Sequence, residues 1–262
     1  AHTDVDAWIV ASSTASHVSV AWQCLSAGKS VLVEKPIAPS CDEASALRTL
    51  VDRDASKLMM GHVVLFNTEF AQLLQEGKNR KPIRFVDAVR HRPATTIDRY
   101  PGEDPFRLTM VHDLYCVLAL KQRADPNQFA AQVRRRLDGT CDLAVAQLGF
   151  EDGCLVKLTA SFLTPQGMPN DGFDRMEVFG EDWAARVMAN PRPIEVWDNR
   201  SHHPMTLELG CDQRSGMLAE QIRCFCRVAR GQQAVPLGAR FEDAIQVQHW
   251  IERLSSVAIE IK

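Results

Sequence analysis

Short apolar runs and longer mixed segments alternate along the first sixty residues. The runs have the length of β-strands, and the segments between them have the spacing of apolar residues that is typical of helices. The predicted strands are 6–12, 30–34 and 57–61, and the predicted helices are about 16–27 and 41–54. Strands that alternate with helices are typical of a parallel sheet, so we predict an α/β arrangement at this end of the chain.

From about residue 82 the pattern changes to alternating apolar and polar residues separated by turns. Asp138-Gly139 and Glu151-Asp152-Gly153 are typical hairpin turns. The predicted strands are 82–92, 128–138, 142–151, 153–163, 173–180, 184–189 and 193–198, and the predicted helices are about 108–121, 213–230 and 241–254. We therefore predict α/β plus α+β: a parallel sheet over residues 1–78, then a domain over 79–262 with a large, open, mostly antiparallel sheet.

The end of the second predicted strand carries the first candidate chemistry. Residues 30–33 (Ser-Val-Leu-Val) run directly into Glu34 and Lys35, and Pro36 ends the strand because it has no N–H to donate. Open α/β sheets bind their ligands at the carboxyl edge of the strands. Lys35 is therefore expected at a ligand-binding edge.

Three linked motifs resemble one family. They are Ala-Ser-Ser-Thr-Ala-Ser-His at 11–17, Ala-Gly-Lys-Ser-Val-Leu-Val-Glu-Lys-Pro at 27–36, and Gly-His-Val-Val-Leu-Phe-Asn at 61–67. In this order and spacing they resemble the Gfo/Idh/MocA family of NAD(P)-dependent oxidoreductases, which includes inositol dehydrogenases and glucose–fructose oxidoreductase. The later chain fits as well, so the resemblance covers essentially all 262 residues.

The resemblance implies a function and a set of site residues. Residues 1–78 would be a partial dinucleotide-binding domain of the Rossmann type, and 79–262 a substrate and oligomerisation domain. The expected reaction is hydride transfer between NAD or NADP and a sugar, cyclitol or related polyol. The implied cofactor contacts are Ser12, Ser13, Thr14, His17, Glu34, Lys35 and Pro36. The implied substrate contacts are Lys35, Arg107, His112 and Asp113.

Lys35 and His112 are the implied catalytic residues. Removing a hydride from a secondary alcohol requires a base for the hydroxyl proton and a cation for the developing negative charge on oxygen. By resemblance these two residues share the roles, with His112 as the expected base. A Lys beside a positively charged nicotinamide ring has its charged form disfavoured, which lowers its pKa towards neutrality.

One family motif does not occur in the chain. The family opens with a strand and a Gly-x-Gly-x-x-Gly turn that holds the dinucleotide diphosphate, and this sequence contains no such turn. The resemblance implies that roughly the first two βα units are missing, so we expect weak binding of NAD(H) and NADP(H). It also implies that the strand at 6–12 is the fourth of a doubly wound sheet and has one edge unpaired.

A second departure concerns the substrate side. The family's dehydrogenases usually have an Asp four residues before the catalytic His, whereas Leu108 stands at that position. Arg107, Asp104 or Asp113 would have to compensate, and activity on the typical polyol is put in question. Two alternatives therefore stay open: a non-catalytic relative that senses a dinucleotide or sugar, and an inactive truncated remnant.

Composition narrows the remaining function classes. With 45% hydrophobic and 24% charged residues and a net charge of −3, the chain is typical of a soluble globular protein, and neither nucleic-acid nor membrane binding is expected. No signal peptide or membrane span is evident, so we expect a cytoplasmic protein. The eight cysteines include no Cys-x-x-Cys pair and His202-His203 has no partner at metal spacing, so we expect reduced cysteines and no metal site.

The predicted sheet also suggests an assembly. Helices cover one face, and the other face must be solvated or buried against another molecule. We place Leu155, Val156, Leu158 and Phe162 on one apolar face. We expect a homo-oligomer formed through this C-terminal sheet, with a sheet whose second face is polar and hydrated as the alternative.

Overall fold

A small parallel sheet forms the first part of the structure. The computed structural model describes residues 4–167, 174–188 and 216–261. Strands β1 (Ala7–Val10), β2 (Ser30–Glu34) and β3 (Leu58–Gly61) pair in parallel in the order β1-β2-β3. The predicted parallel sheet is confirmed, and β2 is its central strand. Its three middle residues, Val31, Leu32 and Val33, are apolar and buried, as expected of a strand paired on both sides.

Four helices accompany this sheet. They are α1 (Thr14–Ser26), α2 (Cys41–Ser45), α3 (Arg48–Val51) and α4 (Thr68–Lys78), with short 3₁₀ turns at Ala55–Lys57 and Val63–Phe66. The predicted single helix over 41–54 is wrong, because two short helices occupy that range. Separate tertiary contacts hold the two pieces: the backbone N–H of Cys41 donates to Glu252, and Arg48 pairs with Glu242.

A larger mixed sheet follows. Its strands are β4 (Ile83–Pro93), β5 (Gln128–Arg135), β6 (Cys141–Gly149), β7 (Leu155–Thr164), β8 (Arg175–Gly180), β9 (Trp183–Val187) and β10 (Ala258–Glu260). Their order is β10-β5-β6-β7-β4-β8-β9, and only β10/β5 and β7/β4 pair in parallel. The predicted mostly antiparallel sheet is confirmed. The predicted strand at 193–198 and the His202-His203 pair lie outside the described residues.

Glycines make the two predicted hairpin turns. Gly139 between β5 and β6 and Gly153 between β6 and β7 have φ angles of 83° and 79°, a region that side chains with a Cβ rarely adopt. These turns set the register of three consecutive antiparallel strands. The pairing within this part of the sheet therefore follows from local sequence signals.

Four helices belong to the second part of the structure. They are α5 (Thr95–Arg99), α6 (Val111–Leu120), α7 (Met217–Ala229) and α8 (Phe241–Val257). The predicted helix at 108–121 is only partly right, because a π-helical turn at Phe106–Met110 precedes α6. The predicted start of the helix at 213 lies outside the described residues. None of the helices in the described ranges is long and apolar enough to cross a bilayer.

One apolar core joins the two sheets. Helix α6 is buried along almost its whole length, and it packs against α8, whose Trp250 is fully buried. The indole N–H of Trp250 donates to Asp125 at 2.9 Å, so the buried ring leaves no unsatisfied donor. Helix α6 therefore forms a rigid support for the residues at its amino end.

Strand β7 has two different faces. Val156, Leu158 and Phe162 are buried in the core, whereas Leu155 and Leu163 are 44% and 46% exposed on the opposite face. The sequence expectation that placed Leu155, Val156, Leu158 and Phe162 on one face is wrong. Successive side chains of a strand point to opposite faces, so Leu155 cannot share a face with Val156.

The edge position of β1 leads to a testable difference between strands. Among the described residues β1 pairs only with β2, and Ile9 is 50% exposed, whereas β2 is paired on both sides. Backbone amides without a ladder partner exchange with solvent more readily. Hydrogen exchange followed by mass spectrometry should therefore show faster exchange over residues 7–10 than over 30–34. Equal protection of the two strands at low protein concentration would show that β1 has a second neighbour.

Candidate active site

A cleft of about 440 Å³ lies where β1 and β2 end. Each of these strands contributes the residues of the turn that follows it, and the segment before α6 closes the other side. The lining residues are Ala11, Ser12, Ser13, Thr14, His17, Glu34, Lys35, Pro36, Arg99, Tyr100, Pro101, Glu103, Arg107 and Leu108. All seven predicted cofactor contacts, and Arg107, lie in this cleft. Arg99, Tyr100 and Glu103 belong to it too, although no sequence signal singled them out.

His17 connects the two turns that form the cleft floor. Its side chain is buried, with Nδ1 2.8 Å from the Pro36 carbonyl and Nε2 3.1 Å from the Ser12 carbonyl. One imidazole thus bridges the turn after β1 and the turn after β2. This contact positions Lys35, which precedes Pro36 and is joined to it by a cis peptide bond.

The amino end of α1 faces the same cleft. Ser13 is its N-cap residue but makes no capping hydrogen bond with its side chain, and the first turn contains no acidic residue. The first backbone N–H groups of a helix have no partners within the helix, and the helix dipole is positive at this end. This end of α1 therefore favours an anionic ligand.

Lys35 is partly buried at the carboxyl edge of β2, directly after the last residue of the strand. Desolvation lowers the pKa of Lys35 to about 8, although the nearby carboxylates of Glu34 and Glu103 act in the opposite direction. The ammonium Nζ donates to the Leu108 carbonyl oxygen at 3.0 Å. Lys35 is therefore fixed in direction, and it exchanges a proton close to the physiological pH range.

His112 is the second residue of α6 and is not among the residues that line the cleft. Burial lowers the pKa of His112 well below its usual value, and the charges of Lys35 and Arg90 lower it further. Its Nδ1 is enclosed and has no hydrogen-bond partner among the described residues. At neutral pH the imidazole is therefore uncharged and able to accept a proton.

His62 is a neighbour of His112 that sequence reasoning did not assign to the site. The two ring centroids are 6.0 Å apart, and His62 also packs against the ring of Tyr115. Burial lowers its pKa well below the usual value, and neither ring nitrogen has a partner among the described residues. The sequence did offer a signal for His62, because this residue directly follows β3 and belongs to the Gly61-His62 motif.

A buried ion network supports this region from the side of the large sheet. Arg90 on β4 donates from Nε to Asp113 at 3.0 Å and from Nη1 to Asp174 at 2.8 Å. Arg92 binds both oxygens of Asp174, at 2.5 and 2.7 Å. Arg90, Asp113 and Asp174 are each at most 4% exposed. The network therefore ties α6 to the sheet directly beside His112.

Asp113 has a different place from the one expected of a substrate contact. It does not line the cleft, because its Oδ1 accepts the hydrogen bond from Arg90 and its side chain is 3% exposed. Desolvation raises the pKa of Asp113 to about 6, while Arg90 opposes the increase. Its position links it to the support of His112 rather than to a ligand in the cleft.

The π-helical turn before α6 changes the meaning of position 108. The N–H of Val111 donates to the carbonyl of Phe106, five residues earlier, so the turn contains about one more residue than an α-helical turn. The expected equivalence of Leu108 with a family carboxylate one α-helical turn before His112 therefore stays a prediction. Arg107 and Leu108 both line the cleft, and the enclosed Nε of Arg107 has no partner among the described residues.

The comparison with protein families agrees with this geometry. Residues 1–62 match the model of the Gfo/Idh/MocA oxidoreductase family, which is described as having an NAD-binding Rossmann fold. The resemblance to the Gfo/Idh/MocA family is confirmed. The matched range contains β1, β2, β3 and the two turns that form the cleft floor.

Two curated proteins are similar in sequence to this chain. UDP-N-acetylglucosamine 3-dehydrogenase from Acidithiobacillus ferrooxidans is 28% identical over 184 residues, which is 70% of this chain and 56% of the relative. The protein YceM of Salmonella typhimurium is 43% identical over 75 residues, which is 29% of this chain and 23% of YceM. The matched part therefore spans about half, or less, of the length of these relatives.

Solved structures share the fold over nearly the whole chain. The Acidithiobacillus ferrooxidans enzyme superimposes with a TM-score of 0.76 and 22% identity, covering 97% of this chain and 79% of the other. A scyllo-inositol dehydrogenase from Lactobacillus casei, solved with NAD(H) and scyllo-inositol, gives a TM-score of 0.78 at 19% identity, covering 98% and 79%. At identities this low, the structural similarity shows a shared fold and nothing more.

The buried network predicts a large difference between two arginines of β4. Arg90→Met would leave Asp113 without its partner in a buried position, and we expect a loss of about 3–5 kcal/mol in the free energy of unfolding. The measurement is urea denaturation at neutral pH. Arg84→Met on the same strand is the matched control, because Arg84 pairs with Glu181 at the surface and water screens that pair. Equal losses for the two variants would show that the buried network does not support α6.

Proposed function

We propose that this protein is an NAD(P)-dependent oxidoreductase that transfers a hydride between a nicotinamide cofactor and a sugar, cyclitol or related polyol. The observation that carries the proposal is the pair formed by Lys35 and His112. Desolvation brings the pKa of the first to about 8 and keeps the second uncharged at neutral pH. A cation and a neutral base are the groups that oxidation of an alcohol requires.

The residues of the cleft fit an anionic cofactor in part. The uncapped amino end of α1, the hydroxyl groups of Ser12, Ser13 and Thr14, and the cation of Lys35 suit a negatively charged group. His17, Glu34 and Pro36 complete the proposed contacts. The sequence contains no Gly-x-Gly-x-x-Gly turn, so the proposal assigns no residue to the diphosphate. When bound, the nicotinamide supplies the hydride acceptor for the substrate alcohol.

His112 takes the hydroxyl proton in this proposal. A neutral imidazole has one ring nitrogen without a proton, and that nitrogen accepts the proton as the alcohol becomes a carbonyl. The cations of Lys35 and Arg90 disfavour a second positive charge on the ring. The imidazolium therefore passes its proton on readily, which returns the base to its neutral form.

Lys35 provides the positive charge. Its ammonium is held by the Leu108 carbonyl and stabilises negative charge as it develops on the substrate oxygen. The low polarity that depresses its pKa also strengthens this electrostatic effect, since fewer water molecules screen it. Lys35 works in the charged form, so the protonated fraction limits the rate above its pKa.

The relatives support the substrate class. The enzyme from Acidithiobacillus ferrooxidans is named for a nucleotide sugar, and the Lactobacillus casei structure holds a cyclitol. Arg107 and Arg99 on the cleft wall add positive charge, which suits a substrate with an acidic or phosphorylated substituent. We therefore propose a polyhydroxylated ring as the substrate, including rings that carry an anionic group.

A non-catalytic sensor is the second candidate. Leu108 favours it, because an apolar side chain stands in the cleft where the family's dehydrogenases usually have a carboxylate. Such a protein would bind the same ligands without turnover. Measurements on the catalytic pair separate the two candidates.

Substitution of the catalytic pair tests the proposed reaction. Lys35→Met and His112→Gln should each lower kcat by about 100-fold or more, the usual scale for a positioned acid–base group. The assay follows reduced nicotinamide with NAD and NADP against cyclitols, sugars and nucleotide sugars. Lys29→Met at the start of β2 is the control, since Lys29 lies outside the cleft. Near wild-type turnover in both variants would reject the assignment, and ligand binding without any turnover by the wild type would favour the sensor.

The pH profile provides an independent test. Lys35 is charged below a pKa of about 8, so kcat/KM should fall as the pH rises through this value. His112 stays neutral down to well below its usual pKa, so the acidic limb should lie below the usual histidine range. The alkaline limb should disappear in Lys35→Arg, whose guanidinium keeps its charge. An unchanged alkaline limb in that variant would mean that another group titrates.

We also propose that the protein forms a homo-oligomer through the open face of the large sheet. Leu155, Leu163 and Phe179 are 44%, 46% and 42% exposed on β7 and β8. On the same face Asp87 lies between Lys157 and Arg175, at 3.6 and 3.5 Å. Apolar side chains next to paired charges are typical of an interface that is hydrated in part.

Sedimentation velocity tests the oligomer. Leu163→Glu places a charge on the open face near the end of β7, and we expect a shift from oligomer to monomer. Leu137→Glu is the control, because Leu137 is fully exposed in the turn between β5 and β6, away from this face. A wild-type protein that remains a monomer at micromolar concentration, or a Leu163→Glu oligomer, would exclude this interface.

A further inference from the structure

Three side chains with metal-binding atoms meet where α2 packs on α8. Cys41 is the first residue of α2, and His249 and Glu252 stand three residues apart on α8. The thiol sulfur, one imidazole nitrogen and one carboxylate oxygen lie within 4.8 Å of one another. Residues three apart on a helix point to the same side, so α8 presents two ligands together. None of the three residues lines the active-site cleft.

The distances suit a tetrahedral ion after small side-chain rotations. Zinc binds sulfur at about 2.3 Å and nitrogen or oxygen at about 2.0–2.2 Å, which places the ligand atoms of a tetrahedron roughly 3.3–3.6 Å apart. The three ligand atoms must therefore approach one another by about 1.5 Å at most. Rotation about the side-chain bonds of His249, which is exposed, provides this movement.

The carboxylate of Glu252 is already oriented. Its Oε1 accepts the backbone N–H of Cys41 at 2.8 Å and the side-chain amide of Gln248 at 3.4 Å. These contacts hold the glutamate beside the cysteine and leave Oε2 for an ion. Outer contacts of this kind fix the direction of metal ligands in known sites.

We propose that Cys41, His249 and Glu252 bind one zinc ion, with water as the fourth ligand. The donor set of one sulfur, one nitrogen and one oxygen suits zinc and not magnesium or calcium, which take oxygen ligands. On binding, the Cys41 thiol releases its proton to solvent and its sulfur bonds the ion. The ion connects α2 to α8 across a sequence separation of up to 211 residues.

The sequence contained no usual signal for this site. We expected no metal site because no cysteine pair has zinc-finger spacing, and Cys41 is far in the chain from α8. Only the packing of α2 on α8 brings the ligands together. The zinc site does not depend on the proposed reaction, because its three ligands lie outside the cleft.

Metal content of the purified protein provides the first measurement. The protein is stripped with a chelator, incubated with zinc chloride and passed over a desalting column, and zinc is counted by mass spectrometry. We expect about one zinc per chain for the wild type and for Cys226→Ser, a control cysteine on α7. His249→Ala should lose the bound zinc, and because His249 is exposed this variant keeps the fold.

Cobalt and thermal unfolding provide two further readouts. Cobalt added to the stripped wild type should give a thiolate-to-cobalt absorption band, and Cys41→Ser should lack this band. Magnesium should not displace the bound cobalt. Zinc at about 100 times its dissociation constant should raise the Tm of the wild type by roughly 5 °C. His249→Ala should show no such increase. Less than about a tenth of a zinc per wild-type chain, or equal zinc in the wild type and His249→Ala, would overturn the proposal.

Discussion

The burial of Arg90 between two carboxylates is the constraint on which the active-site region depends. A charged guanidinium inside a protein is tolerated only when its donors are satisfied, and Asp113 and Asp174 satisfy them here. Asp113 begins the buried part of α6, and Asp174 directly precedes β8. One side chain of β4 therefore positions both the helix that carries His112 and the entry to the next strand.

The same buried charge determines the chemistry of the neighbouring groups. His112 and His62 are deeply enclosed, and the charges of Lys35 and Arg90 together keep both imidazoles uncharged. Lys35 lies at the edge of this region and retains an ionisation close to pH 8. Burial and the charge of Arg90 therefore act on the pKa values of all three groups in the same direction, towards the uncharged form.

The strands were predictable from sequence where local signals are strong. Apolar runs, the Pro36 stop and the turns at Gly139 and Gly153 act within a few residues, and their elements occur as expected. The cleft-lining residues at 12–17 and 34–36 were also predictable, because they follow β1 and β2 in a linked motif. Contacts between distant segments were not. Nothing in the sequence around Arg90 indicates Asp174, and nothing around Cys41 indicates His249.

The π-helical turn at Phe106–Met110 was also not predictable from the sequence. Helical turns whose hydrogen bonds span four residues and those whose bonds span five give the same apolar pattern over so short a segment. The sequence could therefore not reveal which residue lies one turn before His112. The structure answers this through one backbone bond, from Val111 to Phe106. The carbonyl of Leu108 then holds Lys35, a role that no side-chain motif encodes.

That turn also makes the number of residues in this segment as important as their identity. Each residue of an α-helix rotates the chain by about 100°, so removing one residue from 106–110 would turn Arg107 and Leu108 away from the cleft while leaving α6 in place. A deletion that preserves every sequence motif would thus move the Leu108 carbonyl away from the ammonium of Lys35. Conversely, homologous chains with a regular helix here would present a different residue to the cleft from the same aligned column. For such a pair of chains, alignment by letters alone would match positions that do not correspond in space.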